Sequence, residues 1–287
     1  MAQAMTLLEE RHPDSLGLLA SLYDHRQGAL VVGITGPPGA GKSTLISAMI
    51  KELRVSGKTV GVIAVDPSSP LTGGALLGDR IRMTDHATDK GVFVRSLASR
   101  GSHGGLARVT RDAVILLDAC GFDWVVIETV GVGQGELDIA GLAETTVLVL
   151  VPQAGDTIQT MKAGIMEIAD IFVINKSDRD GAEELAQDIR LQCHAPVVLA
   201  TAHLGQGIGA ILEAVGEHQK AVADDVARAK RRQHVRSDHF LEILRDALFD
   251  RAREHVEHDK KLRRLAQGIA SGEQNPYRAL EEVLKDV

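Results

Sequence analysis

Residues 36–43 read Gly36-Pro37-Pro38-Gly39-Ala40-Gly41-Lys42-Ser43, a complete G-x-x-x-x-G-K-[ST] element followed by Thr44. Glycines at this spacing let backbone N–H groups curl around a diphosphate, and a helix starting at its end adds its positive dipole. Lys42 reaches the β- and γ-phosphates in such an element, and the Ser43 hydroxyl ligates Mg²⁺. The apolar run Ala29–Ile34 leads in as a buried strand and Ser43–Ile50 leaves as a helix, the context a phosphate loop requires. A nucleoside triphosphate is the ligand these residues predict, with Gly36, Pro37, Pro38, Gly39, Ala40, Gly41, Lys42, Ser43 and Thr44 as its cradle.

A second constellation selects the base. Asn175-Lys176-Ser177-Asp178 follows directly on the apolar run Ile171–Ile174. Guanine presents two adjacent donors, N1–H and the 2-amino group, and an ionised Asp178 accepts from both. Adenine would leave that carboxylate unpaired and desolvated. Asn175 can tie the loop to its neighbours while the Lys176 stem lies over the purine. Thr201-Ala202-His203, after the run Val197–Ala200, stands where a backbone contact to guanine O6 is expected.

Carboxylates at strand ends complete the chemistry. Asp66 ends the run Val60–Val65, Asp79 opens Asp79-Arg80-Ile81-Arg82-Met83, and Glu128 ends Trp124–Ile127 just before Thr129-Val130-Gly131-Val132-Gly133-Gln134. Ser43 and Asp66 are expected to hold Mg²⁺, with Glu128 or Asp79 completing the shell. A helix-capping role is the alternative for each, and a poor one for Glu128, which glycines follow at once. Those glycines let a loop pivot when a γ-phosphate appears, and Gln134 could place the attacking water. The predicted catalytic set is therefore Lys42, Asp79, Glu128 and Gln134.

These residues need a frame. Short apolar runs at 60–65, 92–97, 124–128, 147–151, 171–175 and 197–200 alternate with helical patterns near 43–55, 105–119, 180–192 and 207–218. That alternation predicts an α/β fold, a mostly parallel sheet with helices on both faces and phosphate loops at its C-terminal edge. Residues 1–28 read as a helical lead-in, 29–216 as the nucleotide-binding domain and 217–287 as a helical C-terminal extension. The extension carries Phe240, Leu241, Ile243, Leu244, Leu248 and Phe249 at helical spacing. That apolar stripe must cover something, either the first domain or a second copy.

The 287 residues, 44% hydrophobic and 25% charged, suffice for one sizeable core. A formal charge of −7 argues against sequence-independent nucleic-acid binding. No apolar stretch has the length of a membrane span, and no signal-peptide pattern opens the chain. Cys120 and Cys193, the only cysteines, fall in apolar segments and are expected to be reduced and buried. A cytoplasmic protein is the expectation.

Taken together, GPPGAGKST at Gly36–Thr44, DPSSP at Asp66–Pro70, DRIRM at Asp79–Met83, ETVGVGQ at Glu128–Gln134 and NKSD at Asn175–Asp178 resemble the methylmalonyl-CoA mutase-associated GTPases of MeaB type, P-loop GTPases of the SIMIBI class. The resemblance covers about residues 30–205. It implies a GTP/GDP- and Mg²⁺-dependent GTPase with slow intrinsic turnover, acting as chaperone to an adenosylcobalamin-dependent acyl-CoA mutase and gating its cofactor loading. It also implies a homodimer through the C-terminal helices, and a third switch at Pro152–Lys162. The alternatives are a nickel-delivery GTPase, which needs clustered soft or imidazole ligands, and a small-molecule kinase, against which Asp178 argues.

Overall fold

The structure, a computed structural model, describes residues 1–66, 86, 88–98, 105–129, 135–152, 164–224 and 226–283. Seven strands form one sheet: β1 (Leu30–Thr35), β2 (Val60–Asp66), β3 (Val92–Ala98), β4 (Trp124–Thr129), β5 (Thr145–Leu150), β6 (Ile171–Asn175) and β7 (Val197–Ala200). Their order is β3-β2-β4-β1-β5-β6-β7, and every neighbouring pair is parallel. The predicted parallel α/β sheet is the fold found. Strands β4, β5 and β6 are buried along their whole length, as expected where helices cover both faces.

Alternate residues of each strand serve different helices. On one face Val32, Ile34, Val60 and Val62 pack with Leu45, Ile46, Met49 and Ile50 of α3 (Lys42–Val55). Ile208, Ile211 and Val215 of the later helix Ile208–Asp224 join them there. On the other face Val31, Ile63, Val125 and Ile127 meet Met5 and Leu8 of α1 (Ala2–Glu9). Leu116 and Leu117 of α4 (Gly105–Ala119) and Ile139 of α5 (Gly135–Leu142) complete that layer. Between α1 and β1 lies α2 (Asp14–Tyr23); the short α6 (Ile165–Ile168) precedes β6, and α7 (Ala182–Gln192) precedes β7. The helix Ile208–Asp224 is α8.

Two carboxylates set where strands begin. Asp118 Oδ1 accepts the backbone N–H groups of Gln27, Gly28 and Ala29 at 2.9, 2.8 and 3.0 Å, aiming the chain into β1. Asp123 accepts from the Thr59 amide and hydroxyl, joining the starts of β2 and β4. The Thr59 amide, then Lys58, lowers its carboxyl to about 2.

Three sequence expectations change in detail. Strand β5 begins at Thr145 because Thr145 and Thr146 are buried and satisfied there. The Thr145 hydroxyl meets His218 Nδ1 at 2.8 Å, and the Thr146 amide donates to Asp170. Helix α8 runs through Gly216 to Asp224, with Val222 buried on its last turns. Cys120 is exposed and Cys193 half-buried, since both lie at or just past a helix end where the apolar stripe has rotated away.

Residues 1–225 form one compact unit and 226–287 a second. The second comprises α9 (Val226–His258), α10 (Lys260–Ala270) and α11 (Pro276–Val283). Asp259 caps α10, its carboxylate accepting the Lys261 and Leu262 amides at 2.7 and 2.9 Å. Phe240, Leu241, Leu244, Leu248 and Phe249 of α9 are exposed. Among the described residues no helix is long and apolar enough to cross a membrane.

Candidate functional site

Strand order brings the site together. Because β4 inserts between β2 and β1, the carboxyl ends of β1 and β4 lie side by side where the order of connection reverses. Ligands of open α/β sheets bind at that place. A cavity of about 420 Å³ opens there, lined by Pro38, Gly39, Gly41, Lys42, Ser43, Thr44, Val65, Glu128, Thr129 and Lys176. Its residues come from the ends of four strands, β1, β2, β4 and β6, and from the start of α3.

The loop 36–41 folds as it does because of what its glycines approach. Gly36 has φ +138°, and a Cβ there would stand 2.1 Å from the Val149 carbonyl oxygen. Gly41 has φ +89° and would press on Asn175 Nδ2 at 2.5 Å. Only residues without a side chain fit both places. Lys42 is buried at 7% exposure, and its Nζ donates to the Gly36 and Pro37 carbonyls at 2.7 and 3.2 Å. The ammonium thus lies inside the curl of the loop, where phosphate oxygens would replace carbonyls as its acceptors.

Beside it the Ser43 hydroxyl donates to Glu128 Oε1 at 2.7 Å, both groups buried. Two hard oxygen donors on the cavity floor suit Mg²⁺, which is held by one or two protein oxygens together with substrate phosphates. Among the described residues no group of three or more His, Cys, Asp or Glu forms a metal cage. Asp66 ends β2 in register with Ala98. The side chain of Asp66, the residues Asp79 and Gln134, and 153–162 of the expected third switch lie outside the described residues.

The base-selecting elements are tied to the same loop. Asn175 Nδ2 donates to the Ala40 carbonyl at 2.8 Å, and its Oδ1 accepts the Ala202 amide at 3.1 Å. One side chain therefore clamps residues 36–41 to 201–203. Lys176 takes a positive φ of 58°, rare for a residue with a side chain, and its Nζ donates to the Gly39 carbonyl at 2.7 Å. The Ser177 and Thr201 hydroxyls meet at 3.0 Å. Asp178 and His203 are exposed, and neither lines the cavity. Of the three residues 201–203, Ala202 already gives its amide to Asn175.

The structure adds cavity residues that sequence reasoning did not single out: Val65 and Thr129, with Thr35 behind the latter. Thr129 lay inside a quoted motif, and Thr35 is a hydroxyl ending an apolar strand, so both had a signal.

Residues 1–257 match the family described as methylmalonyl-CoA mutase-associated GTPase MeaB. The chain belongs to the MeaB family of GTPases. A Pyrococcus abyssi protein provisionally assigned as a GTPase is 44% identical over 298 residues, all of this chain and 92% of that one. The methylmalonic aciduria type A homolog of Mus musculus, a mitochondrial protein, is 32% identical over 314 residues, 99% of this chain and 75% of its own. The crystal structure of an LAO/AO transport system kinase superposes with a TM-score of 0.67 at 28% identity, covering 99% of this chain and 91% of that one. Like its family, the chain is a GTPase that binds GTP and GDP.

Proposed function

We propose that this MeaB-family GTPase hydrolyses Mg²⁺-bound GTP in the cavity at the ends of β1 and β4, and that its nucleotide state gates adenosylcobalamin loading of an acyl-CoA mutase. The carrying observation is the convergence of Lys42, Ser43 and Glu128 on one cavity, with Asn175 clamping the phosphate loop to the guanine loop. The family description, which names methylmalonyl-CoA mutase, supports the choice of partner.

In this reading the amides of 36–43 and the N-terminus of α3 bind the phosphates, and Lys42 leaves the Gly36 and Pro37 carbonyls to donate to the β- and γ-phosphate oxygens. Ser43 and Glu128, with Asp66 and Asp79, would hold Mg²⁺, which would supply neutralisation of phosphate charge. Asp178 accepts from guanine N1–H and the 2-amino group, and Lys176, anchored on Gly39, covers the purine. Gln134 orients the attacking water. Preorganised charge supplies most of the acceleration.

The protein acts as a cytoplasmic homodimer in this account, a second copy covering Phe240, Leu241 and Leu248 of α9. Size-exclusion chromatography with purified cobalamin-dependent acyl-CoA mutases tests the partner. Co-elution with one mutase is expected, its extent differing between GDP and a non-hydrolysable GTP analogue. Separate elution from every mutase in both nucleotide states contradicts the chaperone reading and leaves the GTPase assignment standing.

A further inference from the structure

Thr35 and Thr129 are buried hydroxyls at the ends of β1 and β4, at 0% and 5% exposure. By strand alternation they share the sheet face of Val31, Val125 and Ile127, where Ile139 closes against Gly33. Their oxygens are 3.0 Å apart, Thr129 donating. The β1–β4 register pairs Ile34 with Glu128, so the threonines form the next rung. Glu128 points to the opposite face, where it accepts from Ser43. The last two residues of β4 are thus held on both faces, Glu128 to the phosphate-loop helix and Thr129 to the strand leading into the phosphate loop.

Stability gives a poor reason for this hydroxyl pair. A neutral hydrogen bond contributes about 1 kcal/mol net, and replacing both partners by apolar groups of the same shape is close to neutral. Valine has that shape, and the threonines' strand neighbours on this face, Val31, Val125 and Ile127, are apolar. What the hydroxyls add is direction: a hydrogen bond fixes the rotation and slide of the β4 end against β1, which valines would leave to packing. Thr129 also lines the cavity itself.

We propose that Thr129, oriented by Thr35, is a positioning residue that keeps the Glu128 carboxylate in place for the divalent cation shared with Ser43. The inference rests on reading the cavity as the Mg²⁺–nucleotide site. In this inference both threonines act through Glu128.

The test compares Thr129→Val, Thr129→Ser and Thr35→Val with the unaltered protein. Affinity for a fluorescent GDP analogue is measured in EDTA and across a Mg²⁺ titration, beside kcat, KM and the melting temperature. Thr129→Val is expected to raise the Mg²⁺ concentration for half-maximal effect about tenfold, ~1.4 kcal/mol, with affinity in EDTA within about twofold of the unaltered protein. Its kcat falls by about the same factor while Thr129→Ser restores both. If Thr129→Val does not fold, Thr35→Val removes the same hydrogen bond from the other side and carries the same expectation. A valine variant with an unchanged Mg²⁺ titration, or a serine variant as impaired as valine, overturns the inference while the site reading stands. Failure of the unaltered protein to bind the analogue with Mg²⁺ overturns the site reading and this inference with it.

Discussion

Lys42→Ala is expected to lower GTP turnover by about 10²–10³-fold, the scale on which one preorganised electrostatic contact to a transition state acts. The ammonium is buried and encircled by its own loop, so no other described cation stands where it could substitute. Lys176, the other lysine lining the cavity, is committed to the Gly39 carbonyl. The fold should survive, because Lys42 opens α3 and alanine is the better helix former there. Phosphate release under single-turnover conditions gives the rate, and circular dichroism melting gives the fold. Turnover within about twofold of the unaltered protein, with an unchanged melt, would remove Lys42 from the chemistry.

Gly36→Ala and Gly39→Ala are expected to differ sharply although both change one glycine of the same loop. A Cβ at Gly36 meets a backbone carbonyl oxygen at 2.1 Å, and Val149, whose oxygen it is, belongs to buried strand β5 and pairs with Val173 of β6, so it has little room to yield. The loop itself must move, and with it the carbonyls that hold Lys42. Gly39 has φ +77° with nothing within 4 Å of a Cβ, so alanine there costs only the left-handed backbone, about 1 kcal/mol. Equilibrium binding of GDP should fall by about 100-fold or more in Gly36→Ala and by less than about tenfold in Gly39→Ala. Equal losses in the two variants would mean that the loop is not built as described.

The elements of this fold were readable because each is a local pattern. Apolar runs of four to six residues announce β1, β4 and β6, and their alternation with amphipathic helices announces a parallel sheet. The apolar run marks β5 only from Val147, while the strand itself begins at Thr145. Thr145 and Thr146 extend it by pairing with Val32 and Gly33 of β1, and their polar groups are satisfied by the distant His218 and Asp170. The helical pattern near 207–218 stops short of the end of α8 at Asp224, and the domain boundary read at Gly216 falls inside that helix, because Val222 alone of the described residues is buried on its last turns. Cys120 was misjudged because composition cannot show where a helix turns its last residue outward.

The candidate site divides in the same way. Residues 36–43 and 175–178 are contiguous and carry their chemistry in their spacing. The bond from Asn175 to Ala40 spans 135 residues, and spacing gives no sign of which carbonyl it takes. The Thr35–Thr129 contact follows from the insertion of β4 beside β1, a matter of strand order. Glu128 was identified by its place at a strand tip. That its carboxylate meets Ser43 required the register between β4 and β1, and α3 folded back above them.

Isothermal titration of the purified protein with GDP, then with ADP, each in the presence of Mg²⁺, tests the central claim most directly. One GDP should bind per chain with a clear heat, at least about tenfold more tightly than ADP, and chelating the Mg²⁺ should weaken it. The absence of heat with GDP and Mg²⁺, or equal affinity for the two nucleotides, would contradict the account.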